Sequence, residues 1–112
     1  IDAKRDWGHA KDYVKAMWLM LQQKKPSDYV IGTGKMHSVK EFAKLAFEHV
    51  GLDYKKYIVI KKNLLRPTEV ETLKADYKKA RKELNWKPDV SFEKLVKDMV
   101  ESDINFVKKS GY

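Results

Sequence analysis

Tyr29-Val30-Ile31-Gly32-Thr33-Gly34 reads as a short strand running into a tight turn, and that reading decides the fold. Tyrosine and β-branched residues suit a pleated, buried run. The two glycines then permit a sharp reversal. Ser38, with Glu41 three residues later, makes a capping box and opens a helix. Val39, Phe42, Ala43, Ala46 and Val50 form its apolar face, and Gly51 stands where a C-terminal cap belongs. Tyr57 to Lys61 reads as a second strand. Strand, helix and strand within about thirty residues predict a right-handed βαβ unit with parallel strands.

Working outward, Ile1 to Trp7 is short and polar, an extended lead-in that turns at Gly8. His9 to Gln22 is a helix whose Val14, Met17, Trp18 and Leu21 share one face, flanked by Ala10, Tyr13 and Met20. Lys24-Lys25-Pro26-Ser27-Asp28 breaks it. Downstream, Asp76 can cap a third helix with Tyr77, Ala80, Arg81 and Leu84 on one side. Asn85-Trp86-Lys87-Pro88 ends that helix. Ser91 caps a fourth, whose apolar stripe runs from Phe92 through Leu95, Val96, Met99 and Val100 to Ile104 and Val107. The fold class is therefore α/β, about four helices with a short parallel βαβ unit, in one domain over residues 1–112. Two strands are marginal alone, and the chain opens on Ile1 rather than Met. Both features predict a part of something longer.

Composition narrows the function. The 112 residues carry no cysteine, so disulfides and thiolate metal sites are excluded. That usage fits a cytoplasmic setting. No apolar run approaches the roughly 18 residues of a membrane span. The net charge is +8, which favours an anionic partner such as a phosphorylated small molecule, against the plain alternative of a solvated lysine-rich surface. Nucleic acid is disfavoured, because the aromatics fall on apolar helix faces instead of interleaving with lysines as a stacking platform would. His9, His37 and His49 are scattered without metal-ligand spacing.

The cations converge in Ile60 to Glu71, I-K-K-N-L-L-R-P-T-E-V-E. Pro67 ends regular structure beside Arg66, and Glu69 places a carboxylate nearby. A guanidinium held beside a rigid proline, with an acceptor close by, suits a phosphate and a ribose or base edge in one ligand. The other reading is an Arg–Glu pair on a surface turn. Two motifs are decoys. Gly32-x-Gly34-x-x-His37 lacks the third glycine of a dinucleotide-binding turn, and no ribose-binding acid follows on a strand. It is expected to be a tight turn lining a neighbouring site. Tyr57-x-x-x-Lys61 has the spacing of a short-chain dehydrogenase pair, but on a strand those groups stand roughly 13 Å apart.

The segments combine into a resemblance. Arg5-Asp6-Trp7-Gly8-His9-Ala10-Lys11-Asp12-Tyr13-Val14 and Ala16 to Gln22 resemble the GDP-mannose 4,6-dehydratases. So do Tyr29 to Gly34, His37 to Phe42, Arg66-Pro67-Thr68-Glu69-Val70, Leu84 to Pro88 and Ser91 to Glu93, in order along nearly the whole chain. The resemblance implies the C-terminal substrate-binding part of an extended short-chain dehydrogenase/reductase, without the N-terminal Rossmann domain. The family enzyme converts GDP-mannose to GDP-4-keto-6-deoxymannose with tightly held NADP. Its cofactor turn, Thr/Ser, Tyr-x-x-x-Lys pair and Glu base lie in the N-terminal part, so this chain is expected to bind no cofactor and to be inactive alone. By similarity Arg5 and Arg66 hold the diphosphate and Glu69 the nucleoside end of GDP or GDP-mannose. A homo-oligomer is expected. Ala75-Asp76 and Glu71 depart from the family's usual Gly-Asp and Asp. A self-associating structural module, or a related nucleotide-sugar reductase or epimerase, are the alternatives.

Overall fold

The computed structural model describes residues 1–64 and 72–110. In chain order they form strand β1 (Lys4–Arg5), helix α1 (Ala10–Leu21), strand β2 (His37–Ser38), helix α2 (Val39–His49), two single-turn 3-10 segments, helix α3 (Lys78–Leu84) and helix α4 (Phe92–Ser110). The four expected helices are all present, and their ends follow local chemistry. His9 caps α1, its Nδ1 accepting from the Lys11 amide at 3.0 Å. Ser38 and Glu41 complete the capping box of α2, and Gly51 lies just beyond it at φ 76°. The Asp76 carboxylate accepts from the Lys78 amide at the start of α3, and the Ser91 hydroxyl from Lys94 at the start of α4.

The strands differ from expectation. Neither Tyr29 to Ile31 nor Tyr57 to Lys61 is a strand, and the two strands observed are not a parallel pair. Instead β1 and β2 run antiparallel, with Lys4 opposite Ser38 and Arg5 opposite His37. A single parallel bridge adds Thr72 beside Lys4. The reason is that apolar, β-branched composition reports burial, not a ladder partner. Tyr29 and Ile31 meet that demand by packing against helices, whereas Tyr57, Val59 and Ile60 stay exposed, Tyr57 stacking on Phe47 with ring centroids 5.4 Å apart.

Two small cores result. One joins α1 to α3 through Ala16, Ala80, Leu84 and Trp86. Trp86 is 1% exposed, and its indole N–H donates to the Asp12 carbonyl at 2.9 Å. The other joins α2 to α4 around aromatic rings: Phe92 lies flat on His37 at 3.8 Å and edge-on to Phe42 at 5.9 Å, and Trp7 packs on Phe42 at 5.0 Å. Asp12 links the two halves. Its buried carboxylate accepts from the Asp89 and Val90 amides at 3.1 and 3.0 Å. The three histidines, which have no carboxylate partner legible in sequence, each find one in space: His9 with Asp98, His37 with Glu41 and His49 with Glu101. Two of those acids belong to α4, so the histidines tie that helix to α1 and α2.

The face of α1 expected to be buried is largely exposed. Ala16 and Asp12 turn inward, with Tyr13, Leu19 and Met20 beside them, while Val14, Met17, Trp18 and Leu21 point to solvent. The 3.6-residue period supports both choices, because α1 is apolar over most of its circumference.

Candidate functional site

Arg5 ends β1, and the residue after it organises the corner. The Asp6 carboxylate accepts four hydrogen bonds. The Thr33 hydroxyl and amide reach Oδ1 at 2.6 and 2.8 Å, and the Gly34 and Ala75 amides reach Oδ2 at 2.8 and 3.1 Å. Burial raises the pKa of this group, but the hydrogen bonds from Thr33, Ala75 and Gly34 outweigh it and hold the carboxyl below its ordinary value. One acid thus fastens the start of the chain, the Gly32–Gly34 turn and the segment leaving Thr72. The Leu73 amide adds a bond to the Lys4 carbonyl at 3.2 Å.

These segments border an open hollow of about 320 Å³ lined by Arg5, Asp6, Ile31, Gly32, Lys74 and Ala75, among others. Arg5 donates through Nη1 to the Lys4 carbonyl at 2.7 Å. The four donors keep Asp6 ionised, so the lining sets one carboxylate beside the two cations Arg5 and Lys74. Gly32 is required by close approach: a Cβ there would collide with the Ala75 side chain. Gly32→Ala is expected to destabilise the fold by about 1–3 kcal/mol, measured by urea unfolding. A wild-type midpoint would contradict the packing described.

The structure brings Arg5 to this cavity. Arg66 and Glu69, the other two residues expected at the site, lie outside the described residues. Their segment rejoins the described structure at Thr72, beside Lys4. Sequence reasoning missed Asp6 and Lys74. The signal for Asp6 was an acid next to Arg5 together with a Gly-Thr-Gly turn rich in unsatisfied amides; nothing local marked Lys74. The Gly32–Gly34 turn spends its Thr33 and Gly34 amides on Asp6, so they are not directed at a cofactor pyrophosphate. Among the described residues no group of three metal-ligating side chains occurs, and no helix is long and apolar enough to cross a membrane.

Comparison with known proteins gives the geometry a family. The family model described as GDP-mannose 4,6 dehydratase matches residues 1–99. GDP-mannose 4,6 dehydratase 1 of Arabidopsis thaliana is 56% identical over 109 residues, covering 97% of this chain and 30% of that protein. The human GDP-mannose 4,6 dehydratase is 45% identical over 125 residues, covering 96% of this chain and 34% of its own length. The chain thus spans about a third of the curated relatives it matches. Among solved structures, the UDP-glucose 4-epimerase of Thermotoga maritima with UDP-glucose superposes with TM-score 0.84 and 32% identity, over 95% of this chain and 33% of that one. The UDP-glucose 4-epimerase of Bifidobacterium longum, in complex with NAD+ and UDP, gives TM-score 0.80 and 25% identity over 92% of this chain and 30% of its own. The four helices and small sheet found among the described residues match part of these two epimerases, and the chain belongs to the GDP-mannose 4,6 dehydratase family.

Proposed function

We propose that these residues form the substrate-binding part of a GDP-mannose 4,6-dehydratase, which converts GDP-mannose to GDP-4-keto-6-deoxymannose by eliminating water with internal hydride transfer through NADP. The observation that carries this is Arg5 in the wall of a hollow that Lys74 also lines, with Thr72 bridged to the neighbouring Lys4. Arg5 and Arg66 hold the diphosphate, and Glu69 accepts from the nucleoside end. Bidentate guanidinium contacts are the geometry a diphosphate favours. The two named epimerases were solved with UDP-glucose and with UDP, ligands that share this diphosphate with GDP-mannose. In this reading NADP and the groups that move hydride and protons belong to the rest of the enzyme. These residues bind and orient the nucleotide end, and are inactive alone.

Calorimetry with GDP tests the proposal. The 112-residue chain is expected to bind GDP, and Arg66→Ala to weaken binding by about tenfold or more, the loss of one charge-assisted contact. No heat with either GDP or GDP-mannose would count against retained binding.

A further inference from the structure

We infer that Lys74, Lys78 and Arg81 form a second anion-binding site, and that its ligand is a small molecule of the pyrophosphate or phosphate-ester class carrying two or more negative charges. The inference does not rest on the ligand reading above, since Lys78 and Arg81 are not among the residues that line the Arg5 hollow. The three cations border an open hollow of about 420 Å³ whose other walls are Gly34, Ala75, Asp76 and Tyr77. Lys74 and Ala75 line both hollows, so the two lie side by side.

Local structure gathers the charges. Lys78 and Arg81 stand at i and i+3 of α3, which puts them on one face. Lys74 precedes them on the segment that Asp6 fastens through the Ala75 amide. Asp76 is the one carboxylate among the lining residues, and its Oδ1 accepts from the Lys78 amide at 3.1 Å. Three positive charges thus face one negative charge. Among the described residues none of the three cations makes an ion pair, whereas Lys15, Lys44 and Lys94 pair with Asp89, Glu48 and Asp98. Lys79, on the same helix, is engaged elsewhere: its Nζ donates to the Ser27 hydroxyl at 2.6 Å and to the Asp28 carbonyl at 2.7 Å. Like charges set together in this way repel, and a bound dianion relieves that repulsion.

The walls select the class of ligand. The Gly34 and Ala75 amides are already engaged by Asp6, so the anion is held by side chains. Two ammonium groups and a guanidinium can grip phosphate oxygens from several sides, and each contact strengthens with the charge on the ligand. Three charges at one hollow match a compact anion, whereas a nucleic-acid backbone calls for a stripe of them. The hollow beside Trp7 and His37 is a useful contrast: there Lys35 is set against Asp89 and Glu93, a lining with no surplus of positive charge.

Calorimetric titration of the 112-residue chain with inorganic pyrophosphate tests the site. Wild type is expected to bind, and the double variant Lys78→Gln, Arg81→Gln to bind about tenfold or more weakly. Both side chains are exposed on α3, so the variant is expected to keep the wild-type urea midpoint. Arg66→Ala is expected to bind pyrophosphate as wild type does. A second measurement needs no variant: acetylation of the Lys78 amine by acetic anhydride, read by mass spectrometry, is expected to slow when pyrophosphate is added, while that of Lys108 and Lys109 at the exposed end of α4 does not. If the double variant fails to fold, this protection decides the matter by itself. No binding by wild type overturns the inference, and so does unprotected Lys78. An equal loss in Lys108→Gln, Lys109→Gln overturns it too, because the attraction is then diffuse charge. Loss in Arg66→Ala with the double variant unaffected also overturns it, by placing the anion in the Arg5 corner.

Discussion

Trp86→Ala is expected to lower stability by about 3–5 kcal/mol, the range for removing a large aromatic from a core. Trp86 is the largest side chain that is fully buried, and it closes the α1–α3 core against Ala16, Ala80 and Leu84. Its ring meets Tyr77 edge-on at 5.7 Å. Its indole N–H donates to the Asp12 carbonyl, so truncation leaves both a cavity and an acceptor without its donor. A small domain holds only about 5–15 kcal/mol in total, and this chain divides its burial between two modest cores. Urea unfolding of the variant is therefore expected to show a midpoint lowered by a large share of the wild-type value. A loss below about 1 kcal/mol would mean that the α1–α3 core is not where the stability lies. Trp86→Phe, which keeps one aromatic ring but loses the rest of the indole and its hydrogen bond, is expected to fall between wild type and Trp86→Ala.

Asp6→Ala carries the second large effect, about 3 kcal/mol, because one carboxylate serves four donors from two other chain segments. Asp6→Asn separates charge from shape. Its amide oxygen can still face Thr33, but its NH2 group opposes the Gly34 and Ala75 amides, donor against donor. Both variants are expected to weaken GDP binding beyond their effect on stability, since Arg5 and Lys74 lose their common support. A pH series gives an independent check. The carboxyl is held below its ordinary value, so its contribution is present above the usual carboxylate range and is lost as pH falls through the lowered folded value. Wild type is expected to lose stability on acidification more steeply than Asp6→Asn below about pH 4, a value set by the ordinary carboxylate range. Parallel acid limbs in the two proteins would refute the role given to Asp6.

The helices were legible because their signals are local. Ser38 with Glu41, and Ser91 ahead of Phe92, mark boundaries that need only a few residues in one turn, and both appear as expected. The strands were not legible, because a strand is defined by its partner. Tyr29 to Ile31 has strand composition but joins no ladder among the described residues, while Lys4–Arg5 and His37–Ser38, with no such composition, do pair. The histidine–carboxylate ties to α4 were hidden for the same reason. Asp98 and Glu101 lie 89 and 52 residues from His9 and His49, and no local pattern spans that separation.

By itself the sequence determined the family and the four helices found among the described residues, since the Arg5-to-Val14 and Arg66-to-Val70 motifs are specific and the helix signals close within single turns. Only the tertiary structure decided which side of α1 is buried, which short segments pair, and that Asp6 holds the Arg5 corner together. Those outcomes depend on residues far apart in the chain reaching one another, and an amphipathic period or a lone acid leaves that choice open.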